Sequence, residues 1–342
     1  MQIKLGDKLI GDGCQTYVIA ELASAHCGSL ELAKEILQNA AEAGCDAVKL
    51  QRFHKDRLIV PSDQRYENFK KIELSAEDWE KLILFAKGLK VDIIGEPYDE
   101  EAADFFQQHN VVAFKIPSSD VTNPYLVKKV ASFGKPILIA VGGSSLEEIK
   151  TAVDLIKSNG NETISLMHGY QAFPTKIEDT NLAAIETLKK EFNLPVGFSD
   201  HVDASSEIAV TLSALAIAHG ASVIEKHITK NRADKGFDHY SSLHKDEFVK
   251  MVSLIRNYEK AIGSGKITEY EAEQTYRKKM KKYVVAARNI SAGEVIKLED
   301  LAFKRNQNEA GLPPSEAEKI IGKTVKAKIS ENELIKLEKV AF

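Results

Sequence analysis

The sequence is poor in the residues that staple small or secreted folds. Only three cysteines, Cys14, Cys27 and Cys45, stand among 342 residues. They are odd in number and lack metal-type spacing, which points away from a disulfide framework and toward a reduced, cytoplasmic setting. No charge of one sign dominates. Lys and Arg number 46 against 50 Asp and Glu, a formal net charge of −4, so no basic footprint for a nucleic-acid partner exists. No run approaches the roughly 18 apolar residues of a membrane span, and no apolar signal segment follows Met1, so no membrane association is expected. MQIKLGDKLIGDG alternates and turns instead, as a β-hairpin does.

What is present is a repeated theme between residues 16 and 265. A short β-rich run ends in polar residues, and an amphipathic helical stretch follows. Eight such runs occur: TYVIAEL (16–22), AVKLQRF (47–53), DIIGEPY (92–98), AFKIPSS (113–119), PILIAVG (136–142), ISLMHGY (164–170), PVGFSDH (195–201) and SVIEKHIT (222–229). Between the first two, Leu30, Ala33, Ile36, Leu37 and Ala40 recur at three- and four-residue spacing, the signature of a helix with one apolar face. Eight β/α units over some 250 residues predict a (β/α)8 TIM barrel. A doubly wound open sheet is the rival, but the first strand runs into ELASAHCGS and carries no Gly-rich phosphate fingerprint.

After 265 the character changes. ITEYEAEQTYRKKMKKY is charged and helix-prone, and its KKMKK end reads as a solvated helix rather than a binding patch. Short alternating runs broken by SAGE and SENE turns then form a small β-rich domain. The expected organisation is a barrel over 1–266 including the N-terminal hairpin, a linker helix over 267–282, and the small domain over 283–342.

Active sites of TIM barrels lie at the C-terminal ends of the strands. Glu21, Lys49, Gln51, Glu96, Lys115, His201, Glu225 and His227 all fall at or near those ends. Alternation places Lys49 with Gln51, and Glu225 with His227, on one face of their strands, and turns Lys226 to the outer layer. His201 and His227 close the last two, neighbouring strands. With a carboxylate such as Asp238 or Glu21 they make a reasonable divalent site; the alternative is that each only caps its strand by hydrogen bonding. His168 ends the sixth strand as either a ligand or a satisfied core residue. Lys49 and Lys115 in a barrel mouth call for an anion, a carboxylate or phosphate that Ser118 and Ser119 would also reach. Internal salt bridges to Glu21, Glu96 or Asp120 are the alternative.

IAELASAHCGS, AVKLQ, FKIPSSD, GFSDH and VIEKHIT, followed by AARNISAGEVIKLEDLAFKR, are together highly specific, and over almost its whole length the chain resembles the sialic acid synthase family. That family includes N-acetylneuraminate, legionaminate and pseudaminate synthases and ends in an antifreeze-like (SAF, β-clip) domain. The resemblance implies condensation of phosphoenolpyruvate with an open-chain sugar aldehyde to a 3-deoxy-2-keto acid, with C–O cleavage and release of phosphate. It implies that His201 and His227 bind manganese, with magnesium or cobalt as alternatives. It implies that Lys49, Gln51, Lys115 and Ser118 hold phosphoenolpyruvate, that Asp120 positions the water added at C2, and that Glu21 and Asp238 lie beside the metal and the aldehyde. Gln171 and Glu225 join the substrate-binding set. Arg305, in FKRNQNEAG, would reach the sugar across a domain-swapped homodimer.

Several positions depart from the family pattern. Ala25 precedes His26 where Asn is usual, and Glu96-Pro97 replaces Thr-Pro. Ala140-Val141-Gly142 replaces Ser-Thr-Gly, while Gln171 and Phe173-Pro174 replace Asn and Tyr-Pro. Asp120 is one methylene shorter than the usual Glu. An altered substrate pocket is expected, with Glu96 pairing with Arg52 or Lys115 or receiving an amino group. Two other readings remain: a keto-acid aldolase or lyase working through a Schiff base on Lys115, and a sugar-binding relic without turnover.

Overall fold

Strands that are apolar on both faces must be covered on both, and the chain meets that demand by closing its sheet on itself. The computed structural model describes residues 1–263, 265, 267 and 270–342. An antiparallel hairpin, β1 (Gln2–Leu5) and β2 (Lys8–Gly11), opens the chain. Eight parallel strands follow: β3 (Tyr17–Glu21), β4 (Ala47–Arg52), β5 (Asp92–Pro97), β6 (Ala113–Ile116), β7 (Ile137–Ala140), β8 (Ile164–His168), β9 (Val196–Asp200) and β10 (Val223–His227). β10 pairs with both β9 and β3, which closes the barrel. Each strand lies inside one of the eight runs and stops one to three residues short of its polar end. The fourth run breaks earliest, because Pro117 follows Ile116 and the chain turns into a short helical turn at Ser118–Asp120.

Alternation sorts the side chains into two cores. One face of the strands supplies the barrel floor: Ile19, Ala47, Ile94, Ala113, Leu138, Met167 and Val223, sealed below by Ile3, Leu5 and Ile10 of the hairpin. The other face, with Val48, Leu50, Phe114, Ile139, Leu166 and Ile224, packs against the helices. The helix Leu30–Glu42 is typical. Ser29 caps it by accepting the Leu32 N–H, and it buries Ala33, Ile36, Leu37 and Ala40. Leu30, expected on the same face, is only half-buried at its first turn. Gly95 has no room for a side chain, since a Cβ there would sit 2.5 Å from the Phe106 ring. Trp79 is core, in edge contact with Phe105 and Phe106.

The chain divides into two compact units, Met1–Ser264 and Gly265–Phe342. Within the second, the helix Glu271–Met280 buries no residue. The strands β11 (Lys282–Ala286) and β12 (Leu301–Arg305) pair antiparallel, and the bridges Ile290–Ile329 and Val325–Val340 complete a coil of short β segments. Val284, Ile290, Ile296, Ile320, Ile329 and Ile335 form its own core. Among the described residues, no helix is long and apolar enough to cross a membrane.

Candidate active site

Above the apolar floor the barrel interior turns abruptly charged, and the strand register dictates which charges meet. Glu21 is paired with Lys49 across β3 and β4, Gln51 with Glu96 across β4 and β5, and Glu225 with Ser199 across β10 and β9. Glu225 Oε1 accepts from Lys115 Nζ at 2.6 Å, Lys49 Nζ at 3.1 Å and Ser199 Oγ at 3.2 Å. Lys49 is also ion-paired with Glu21 and, at 2.6 Å, with Glu96 Oε2, to which Gln51 Nε2 donates at 2.9 Å. Three carboxylates thus account for the three protons of the Lys49 ammonium. Lys115 makes one ion pair, with Glu225.

All five charged groups are buried, and burial opposes each charge. For Glu225 the Lys115 and Lys49 ammonium groups outweigh it and hold the carboxyl below its usual range. For Lys115 the nearby Glu225 and Glu96 win in the same way and raise it. For Lys49 burial prevails over Glu225 and Glu96, and its value is lowered. Among the described residues, Glu225 Oε2 is buried without a hydrogen-bond partner. Three glutamates against two lysines leave the cage one negative charge in excess, before Asp238 is counted.

The two imidazoles stand beside this cage, their ring centroids 5.5 Å apart. His201 Nδ1 lies 3.0 Å from the Tyr170 carbonyl oxygen. A carbonyl can only accept, so that nitrogen carries the proton and Nε2 keeps its lone pair. Burial lowers the His201 pKa to about 4 and pushes His227 well below the ordinary histidine value. Both are therefore neutral near pH 7, the form that binds metal. Among the described residues, His227 Nδ1 is buried with no hydrogen-bond partner, so strand capping does not explain it. Two neutral imidazoles beside excess negative charge fit a divalent cation. Among the described residues, no group of three or more His, Cys, Asp or Glu is arranged to hold an ion. The protein's share would be the two histidines, with water or substrate completing the shell.

Both faces join in one cavity of about 730 Å³ at the C-terminal strand ends, lined among others by Lys49, Gln51, Glu96, Lys115, Ser118, Gln171, Glu225, His201, His227 and Asp238. That volume suits a small-molecule site. Asp238 has left-handed backbone geometry, φ 60°, and its Oδ2 accepts the Ser24 N–H at 3.1 Å; burial raises its pKa. Glu21 is anchored by the Ala23 N–H at 2.6 Å.

Other expectations are redirected. Asp120 does not line the cavity: its oxygens accept from Ser119 Oγ and Asn123 Nδ2, each at 2.8 Å, because the turn after Pro117 folds it back on its own loop. Glu96 pairs with Lys49 and Gln51, whereas Arg52 points away to Glu101 and the Phe105 ring. Lys115 pairs with neither Glu96 nor Asp120. His168 is a satisfied residue, its Nε2 2.9 Å from the Thr180 carbonyl oxygen. His26 is engaged within its own loop, its Nδ1 accepting the Gly28 N–H at 3.1 Å. Arg305 is exposed at the end of β12 in the second unit.

Ser199 and Tyr98 line the cavity and were not singled out from sequence, whereas Phe173, noted there as a departure from the family pattern, lines it as an altered pocket would require. Ser199 had a signal, since it lies two residues before His201 and so shares the Glu225 level. Tyr98, Phe53 and the residues Asn68 and Phe69 of the helix Tyr66–Ile72 had none, because their approach is set by packing over the mouth.

Fold and site together define a TIM barrel with a buried charged constellation at the C-terminal ends of its strands. The chain belongs to the NeuB family, which matches residues 36–267, and ends in a SAF domain over residues 281–341. It is similar to N,N'-diacetyllegionaminic acid synthase of Legionella pneumophila, 33% identical over 95% of this chain and 94% of that protein. N-acetylneuraminate-9-phosphate synthase of Mus musculus is 30% identical over 97% of this chain and 94% of its own. Among solved structures, N-acetylneuraminic acid (sialic acid) synthetase from Leptospira borgpetersenii in complex with citrate matches with TM-score 0.76. It is 29% identical and covers 82% of this chain and 97% of that one.

Proposed function

We propose that this protein condenses phosphoenolpyruvate with the aldehyde of an open-chain sugar, giving a 3-deoxy-2-keto acid and phosphate. The observation that carries the reading is the neutral imidazole pair, His201 and His227, opening into the same cavity as the Lys115–Glu225 ion pair. His201 and His227 would hold a divalent ion, manganese in preference to magnesium or cobalt, which when bound supplies a Lewis acid to the aldehyde oxygen.

The chain's own groups account for the rest. Lys115 has donors beyond its one ion pair, and Ser118, Gln171 and Ser199 stand in the same cavity to take the phosphate and carboxylate of phosphoenolpyruvate. Lys49, its protons committed, instead fixes the carboxylates around it. C3 of phosphoenolpyruvate forms the new bond to the aldehyde carbon, and the resulting alkoxide takes a proton. Asp238, raised by burial, is suited to hold that proton. Water then adds at the cationic C2 and gives one proton to a facing carboxylate, and its second proton passes to the bridging oxygen as phosphate leaves with that oxygen and C2 becomes the keto carbon. Glu96 and Glu225 are the carboxylates that face this step, in place of Asp120.

A Schiff-base aldolase is disfavoured at Lys115, because Glu225 holds that amine protonated. An inactive relic is disfavoured by the retained cage, which costs desolvation that an apolar core would avoid. The proposal sets the reaction in the cytoplasm, in a homodimer whose SAF domain brings Arg305 to the acceptor.

The test is phosphate release from phosphoenolpyruvate with manganese, across N-acyl hexosamine aldehydes and simple aldoses. Release that requires both the metal and one particular acceptor is expected. No release with any acceptor, in folded and metal-loaded protein, would overturn the reading.

A further inference from the structure

We propose that Asp200, Lys226 and Ser213, which lie outside the cavity, are positioning residues for His201 and His227. This inference rests on the metal reading above. Asp200 and Lys226 are register partners on β9 and β10, and each immediately precedes one of the two histidines. Their side chains point away from the cavity into the helix layer, where both are fully buried. Lys226 Nζ donates to Asp200 Oδ1 at 2.9 Å, and the same oxygen accepts the Val202 N–H at 3.0 Å. Asp200 Oδ2 accepts from Ser213 Oγ of the helix Leu212–Ala218 at 2.8 Å.

On their outward faces the other strands present mainly hydrocarbon to the helices, including Leu50, Ile116, Ile139 and Leu166, with His168 of β8 as a polar exception. A buried ion pair there is a poor stabiliser, because two apolar side chains of similar volume would hold the layers as well or better. What the pair provides instead is direction. It joins two adjacent strand ends by a bond of defined length, ties that junction to the His201–Val202 turn, and braces it against a helix through Ser213. The imidazoles one residue further on inherit that fixed separation, while Tyr170 sets the ring orientation of His201. A hydrophobic pair would leave each strand end free to shift by the small distances that spoil metal geometry.

The experiment is manganese binding to the full chain, followed by electron paramagnetic resonance of the free ion, with thermal melts of the metal-free protein alongside. Asp200→Asn and Lys226→Met are expected to lose about tenfold in manganese affinity while still folded at the assay temperature, with Ser213→Ala losing a smaller but measurable factor. Ile139→Ala, on the outer face of β7, which β8 separates from β9, serves as the control for general destabilisation. It is expected to keep its affinity within about twofold despite a comparable fall in melting temperature. Wild-type affinity in folded Asp200→Asn and Lys226→Met would overturn the proposal, as would an equal loss in Ile139→Ala. If the first two variants do not fold, Ser213→Ala decides: a loss supports the role and an unchanged affinity overturns it. The metal reading fails separately, and visibly, if His227→Ala binds manganese as the wild type does.

Discussion

Glu225 concentrates the physics of the site in one carboxylate. It holds two buried ammonium groups in the barrel, so Glu225→Gln leaves Lys115 charged without its counter-ion. Destabilisation of about 3–5 kcal/mol is expected in urea unfolding, far above a surface ion pair. Glu96 acts on the substrate instead. Its carboxylate occupies Lys49 and repels an incoming anion, so Glu96→Thr frees a donor and removes a like charge. Its KM for phosphoenolpyruvate should fall by about tenfold, the effect of roughly 1.4 kcal/mol in steady-state kinetics. His26 gives a pH signature. Burial lowers its pKa to about 4, and its Nδ1 must stay unprotonated to accept from Gly28. The unfolded chain takes up that proton below about 6.5 and the folded chain only near 4, so stability is lost as pH falls through that window. His26→Asn should flatten the stability profile between those values by about 3 kcal/mol at most. At this scale the sequence was informative where strand alternation governs, as for Lys49, Gln51, Glu225 and His227. It was silent where a turn decides, as for Asp120, whose carboxylate is consumed by Ser119 and Asn123.

The strands behave as elements with two incompatible faces, and that is why they were legible. Eight polar-ended runs imply eight barrel strands, and all eight close in sequence order. Their ends were less legible, because the chain leaves the ladder at a different point in each run, with Ser118 and Ser119 turning to the cavity after Pro117 while Leu22 and Ile228 still bond to the neighbouring strand. The glycines inside strands carry a second constraint that periodicity does not reveal. At Gly197 a Cβ would lie 2.4 Å from Met167 Sδ and 2.8 Å from Val223 Cβ. Gly197→Ala therefore overfills the barrel floor, and a loss of about 1–3 kcal/mol in thermal or urea unfolding is expected, with no change in the charged cage above. The pairing of Lys226 with Asp200 could be anticipated only in part. Alternation turns Lys226 outward, but its partner depends on the neighbouring strand's register.

For the molecule as a whole, the charge distribution is the feature that composition hides. A nearly balanced chain places three glutamates and two lysines in one buried layer, between an apolar floor and a mouth lined by Phe53, Tyr98 and Phe173. Such a layer stabilises the fold poorly and binds charged ligands well, which is the logic of an enzyme site. In the proposed reaction this layer breaks the C–O bond of phosphoenolpyruvate while joining it to an aldehyde. Carrying a heavy-oxygen label on the bridging oxygen of phosphoenolpyruvate through one turnover, with manganese and the acceptor that supports release, tests it most directly. The label is expected to leave in inorganic phosphate, with the keto oxygen of the product coming from water. Label retained in the product would mean P–O cleavage and would rule the proposed reaction out.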